Sequence, residues 1–98
     1  MSVTTTLAIK DASAAISNVA SIILAAAPYG ERSFLFLANP DATITIWVNL
    51  TGTTAVAAAQ GCIQMLAGTY LMFDSFVPNQ AISVIADSGT PNFTCQYA

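Results

Sequence analysis

Short runs of β-branched and aromatic residues recur along this chain, and turn-forming residues break them at fairly regular intervals. That spacing predicts a sandwich or barrel of short strands. Residues 3–9 (VTTTLAI) read as an extended, threonine-rich stretch, while residues 13–18 suit a loop, a strand or one helical turn. Residues 21–27 read as a strand ended by Pro28-Tyr29-Gly30, where proline presets φ and glycine permits a positive one. Residues 33–38 (SFLFLA) place Phe34 and Phe36 on one face and Leu35 and Leu37 on the other. A strand apolar on both faces is central in a layered fold or covered by another chain. Residues 43–49 (TITIWVN) alternate, with Ile44, Ile46 and Val48 opposite Thr43, Thr45 and Trp47. Asn39-Pro40-Asp41 between these two runs predicts a hairpin.

Farther along, residues 50–61 read as a loop, because Gly52, Gly61 and a threonine cluster oppose a long helix despite the alanines. A second hairpin is expected from residues 62–66 and 69–74 about Ala67-Gly68. Residues 80–86 and 92–97 form the last two strands, joined by the loop formers 87–91. About eight strands and no helix result. They predict an all-β chain folded over residues 1–98 as a single-domain antiparallel β-sandwich, with the jelly roll as one form of it. Residues 1–18, poorly patterned, suit an extended N-terminal arm that adds a strand to a neighbour.

Charge changes the picture. Fifty-five percent of the residues are apolar, yet only Lys10, Asp11, Glu31, Arg32, Asp41, Asp74 and Asp87 are ionised. An ordinary soluble domain carries about a quarter charged residues. Eleven threonines and eight serines supply some polar surface by hydroxyls. The rest of the deficit predicts that other subunits cover much of the exterior. Two isolated basic residues and a net charge of −3 give no footprint for nucleic acid or for an anionic membrane. The apolar run 19–27 (VASIILAAA) is too short to span a bilayer and lacks a basic leader, so it reads as a core strand rather than a signal peptide.

The inventory of reactive groups argues against an enzyme. There is no histidine, which removes histidine-based triads, and two distant cysteines cannot make a closed zinc set. Cys62 and Cys95 are either a pair brought together by late strands or two inert thiols. No glycine spacing fits a phosphate-binding loop. Asp74 and Asp87, each at a strand end, are the one carboxylate pair that could flank a glycosidic bond or help hold Ca²⁺. Strand-end aspartates are more often turn formers. No catalytic residue, metal ligand or cofactor is expected. The triplets Asn49-Leu50-Thr51 and Asn92-Phe93-Thr94 are chance matches to a glycosylation signal in a threonine-rich chain. Trp47, on the threonine face of its strand, and Tyr29, Tyr70 and Tyr97 are candidate exposed aromatics.

Several segments carry a resemblance. Arg32-Ser33-Phe34-Leu35-Phe36-Leu37-Ala38-Asn39-Pro40, Ile46-Trp47-Val48-Asn49, Ala67-Gly68-Thr69-Tyr70-Leu71-Met72-Phe73, Val77-Pro78 and Ile82-Ser83-Val84-Ile85-Ala86 together resemble small β-sandwich virion proteins of tailed bacteriophages. The likeness covers residues 32–97 and leaves out the first 31. It implies a structural protein that decorates or cements a capsid, exposed on the virion surface, commonly as a homotrimer seated on the major capsid protein or another virion protein. Phe34, Leu35, Phe36, Leu37, Trp47 and Tyr70 are the expected interface residues. The alternative expectation is a carbohydrate- or receptor-binding module of a phage fibre or tail, working through Trp47 or a tyrosine cluster.

Overall fold

A computed structural model describes residues 6–28 and 31–98. The turn expected at Pro28-Tyr29-Gly30 and part of the stretch 3–9 therefore lie outside the described residues, as does Tyr29. The strands are β1 (Lys10–Asp11), β2 (Ala14–Ala15), β3 (Ser21–Leu24), β4 (Leu35–Ala38), β5 (Ile46–Asn49), β6 (Ile63–Met65), β7 (Tyr70–Phe73), β8 (Ile82–Ala86) and β9 (Asn92–Tyr97). There is no helix among the described residues.

The strands form two antiparallel sheets. One runs β1-β9-β4-β7, with β2 also on β9, and the other runs β3-β8-β5-β6. The register of β1 and β2 on β9 is continuous, Lys10 opposite Tyr97 and Ala15 opposite Asn92, so they are one strand with a local break. At the break, the Ser13 hydroxyl accepts from the Cys95 amide at 3.0 Å, and Asp11 accepts from the Ser13 amide and hydroxyl. Residues 10–15 are thus an edge of this chain's own sheet and not a free arm.

With β1 and β2 taken together, each sheet has four strands, and every connection crosses between sheets except β5 to β6. This is jelly-roll connectivity, the specific form of the expected sandwich. It also corrects the two hairpins expected from sequence. β4 and β5 lie in opposite sheets, and so do β6 and β7. Alternation identifies the apolar face of a strand but not its neighbour. Here each pair turns its apolar face inward across the core instead of sharing a ladder.

The core is filled by those inward faces. Leu35, Leu37, Phe93 and Cys95 from the first sheet meet Ile46, Val48, Met65, Ile82, Val84 and Ala86 from the second, all of them 0–1% exposed. Ile16 closes one end, and Leu71, Phe73, Ile44 and Leu24 pack around the rim.

The crossing between β4 and β5 needs a particular residue. Asn39 is buried, its amide nitrogen donating to the carbonyls of Ile44 at 2.8 Å and Met65 at 2.9 Å. Its side-chain oxygen accepts from the Asp41 amide at 3.1 Å. Its own backbone N–H donates to Thr69 and its carbonyl accepts from Gly68, both at 2.9 Å. One asparagine therefore joins the β4–β5 crossing to the β6–β7 crossing. Gly68 holds φ at +78° in the turn closed by Thr69 N–H to the Leu66 carbonyl, where an L side chain would be strained. Asp41 completes the corner by accepting from the amides of Thr43 and Ile44. Those backbone hydrogen bonds hold its carboxyl below the usual carboxylate range.

Replacing Asn39 with alanine strands buried carbonyls and an amide without partners. The expected loss is about 2–4 kcal/mol of unfolding free energy, read by urea denaturation. An unchanged midpoint would contradict the pinning role.

Candidate functional interface

The outer faces of the two sheets differ, and the register shows how. On the first sheet, Phe36 lies opposite Met72 and Gln96, and Ala38 lies opposite Tyr70 and Thr94. Residues directly opposite in an antiparallel ladder share a face. Tyr70 is 64% exposed and Met72 54% exposed, and the Tyr70 ring stacks on Phe36 with centroids 5.6 Å apart. Phe34 alternates onto the same side and is half-buried, its backbone paired with Ala98. Toward β7 this face therefore presents aromatic and thioether surface, while Thr94, Gln96 and, opposite Gln96, Asp11 make its β9 and β1 side polar.

On the second sheet, Trp47 lies opposite Ile85 and Gln64, and Asn49 opposite Ser83. Part of that face is already covered. The loop after β5 folds back so that the Ala55 amide donates to the Ser83 hydroxyl at 2.8 Å, leaving Asn49 and Ser83 buried. Trp47 is half-buried, and its indole N–H donates to Asp87 at 2.7 Å.

The six expected interface residues thus separate into three groups. Phe34, Phe36 and Tyr70 share the outer face of the first sheet. Trp47 faces outward on the opposite sheet. Leu35 and Leu37 are corrections: both are 0% exposed, turned into the core, and a side chain without accessible surface touches no partner. The two-sided apolar strand has its simpler explanation, since β4 is central between β9 and β7. Met72 completes the exposed patch and was missed from sequence, although its period-two spacing from Tyr70 could have placed it there.

The carboxylate pair is not assembled. Asp74 follows Phe73, which pairs with Leu35 at the end of the sheet where Tyr97 lies, whereas Asp87 follows Ala86 and leads into the start of β9. The length of β9, ~17 Å at strand rise, separates the two ends. No group of three metal-ligating side chains occurs among the described residues. A cleft of about 530 Å³ lies at the Asp74 end between Arg32, Ser33, Phe76, Val77 and Asn79.

Arg32 in that cleft is structural. It is buried, with guanidinium nitrogens donating to the carbonyls of Pro78 at 2.6 Å, Gln80 at 3.3 Å and Ala25 at 2.8 Å. Loss of solvent lowers its pKa from the ordinary value, partly offset by Cys95 and Tyr97 nearby. Arg32 and Asn39 thus fasten the two ends of β4 to segments of other strands and loops. The glycosylation-like triplet at Asn49 is likewise internal, since Asn49 accepts from the amide and hydroxyl of Thr51 at 2.8 and 2.7 Å.

Comparison with protein-family models, with curated proteins and with solved structures found no match. The likeness to virion proteins therefore rests on the residues that carry it.

The cysteines stay apart as free thiols, Cys95 buried and Cys62 partly exposed. Burial pushes the Cys95 thiol up to about 11, with Arg32 opposing the shift. A thiol reagent at mildly alkaline pH should label Cys62 quickly and Cys95 only on unfolding. The sign for stability follows from the raised value. Below about pH 9 the buried thiol is neutral in both states; above it the unfolded chain ionises first. Stability should fall between about pH 9 and 11, and Cys95→Ala should flatten that slope in a series of melts.

Proposed function

We propose that this chain is a structural virion protein that decorates or cements a phage capsid through oligomeric interfaces. The observation that carries the reading is the outer face of the first sheet. Tyr70, Met72 and Phe36 form an exposed apolar cluster in a chain with seven ionised residues. Apolar patches of this kind mark sites where another surface excludes water. The capsid as the place of work comes from the resemblance of residues 32–97 to small phage virion proteins.

Attachment at several points explains how modest contacts suffice. Each copy need bind only weakly if an oligomer engages several sites on a shell at once, since the later contacts form at high effective concentration. The glycan-binding alternative has less support. Trp47 is half-buried and its single donor is already satisfied by Asp87.

The test is co-sedimentation of the purified chain with capsid shells lacking their surface proteins, together with light scattering of the chain alone. Binding to the shell is expected, weakened about tenfold or more in the variant carrying Tyr70→Ser and Met72→Ser. A chain that ignores every shell and stays monomeric at micromolar concentration contradicts the reading.

A further inference from the structure

We propose that the free edge of β7 pairs with β7 of a second copy, antiparallel and about a two-fold axis, to make one continuous sheet through both subunits. This rests on the assembly reading above and names the partner and geometry of the same surface.

The two sheets have four edges, at β1–β2, β7, β3 and β6. An edge strand offers unpaired N–H and C=O groups to any other strand, and proteins normally guard it with charge, proline, bulges or shortness. Three edges here are guarded. The β1–β2 edge carries Lys10 and Asp11 and is interrupted at Ser13, whose amide is taken by Asp11. β3 shifts register between Ile22 and Leu24. β6 has only three residues.

β7 is different. Its four residues pair with β4 in unbroken register, Leu35 to Phe73 through Ala38 to Tyr70, and nothing among the described residues pairs on its other side. It contains no charge, proline or glycine, and the whole stretch 42–73 lacks an ionised side chain. The outward backbone groups of such an edge are satisfied best by another strand.

A second copy is the occupant that the residues fit. A two-fold axis perpendicular to the sheet keeps outer face beside outer face. Centred on Leu71, it puts Tyr70 opposite Met72 of the second copy, twice over. Those are the two most exposed apolar side chains of this face, so each covers the other. The same alignment sets Asp74 opposite Gly68 of the second copy. No carboxylate then faces a carboxylate, despite the net charge of −3 on each chain. Phe36, stacked under Tyr70, extends the apolar strip inward from the junction. The pairing closes on itself as a dimer, so a shell-bound assembly would be built from pairs, in contrast to the threefold arrangement that the resemblance implies.

The experiment combines light scattering over a dilution series with hydrogen exchange of the unaltered chain. A dimer is expected, with the amides of Tyr70–Phe73 exchanging roughly tenfold or more slowly at high than at low concentration. The double variant Tyr70→Lys, Met72→Lys places like charges opposite one another and should raise the dimer Kd by about a hundredfold. Both positions are exposed, and the exchange measurement needs no variant, so misfolding of the lysine chain would not rescue the idea. Self-association that survives both lysines, or that leaves the β7 amides unprotected, overturns the edge pairing while assembly through another surface stands. A chain monomeric at every concentration also overturns it, whereas shell binding is measured separately by co-sedimentation.

Discussion

Carrying the chain from one sheet to the other without leaving buried backbone groups unpaired is the constraint on which this structure depends. A strand that turns into its own neighbour satisfies its corner by the ladder itself. A strand that crosses the core cannot, and its corner carbonyls and amides need partners from elsewhere. Asn39 supplies three such bonds from its side chain and two from its backbone, and it binds two crossings together. Arg32 does the same work at the other end of β4 with three carbonyls from two separate loops. Few buried polar side chains are present, and these two hold the central strand of one sheet at both ends.

The scarcity of charge has a spatial order as well as an overall value. Ionised residues gather near the β1 edge and at the loops that cap the two ends of the sandwich, whereas the stretch 42–73, with β5, β6 and β7, has none. Charge at an edge strand discourages pairing, and its absence permits it. The exposed cluster of Phe36, Tyr70 and Met72 lies where β7 brings that uncharged stretch beside β4.

Reading the chain residue by residue recovered most strands, although the run 19–27, read as a core strand, is a largely exposed edge. It placed Ile46 and Val48 inside and Trp47 outside correctly, because period-two alternation reports burial directly. It failed where the question was which strand lies beside which. A tight turn at Asn39-Pro40-Asp41 between two apolar strands looks the same whether they pair side by side or face each other across a core. The same ambiguity put Leu35 and Leu37 among interface residues. With Phe34 and Phe36 equally apolar, the sequence offers no local sign of which pair is the inner one. Of the candidate surface, Tyr70 and Trp47 were legible as exposed aromatics, while the ladder that sets Met72 opposite Phe36 shows the two on one face.

By itself the amino-acid sequence determined that this chain is all-β, that its strands are short, that it has no histidine, and that it is poor in charge. Those properties are sums or short-range patterns, and no distant residue can alter them. Tertiary structure alone decided the jelly-roll order, the separation of Asp74 from Asp87, the burial of Arg32 and Asn39, and the place of β7 at a sheet edge. Each of these depends on long-range pairing, in which many strand orders satisfy the same alternation. Only the joint packing of both sheets and the hydrogen bonds at their corners selects among them.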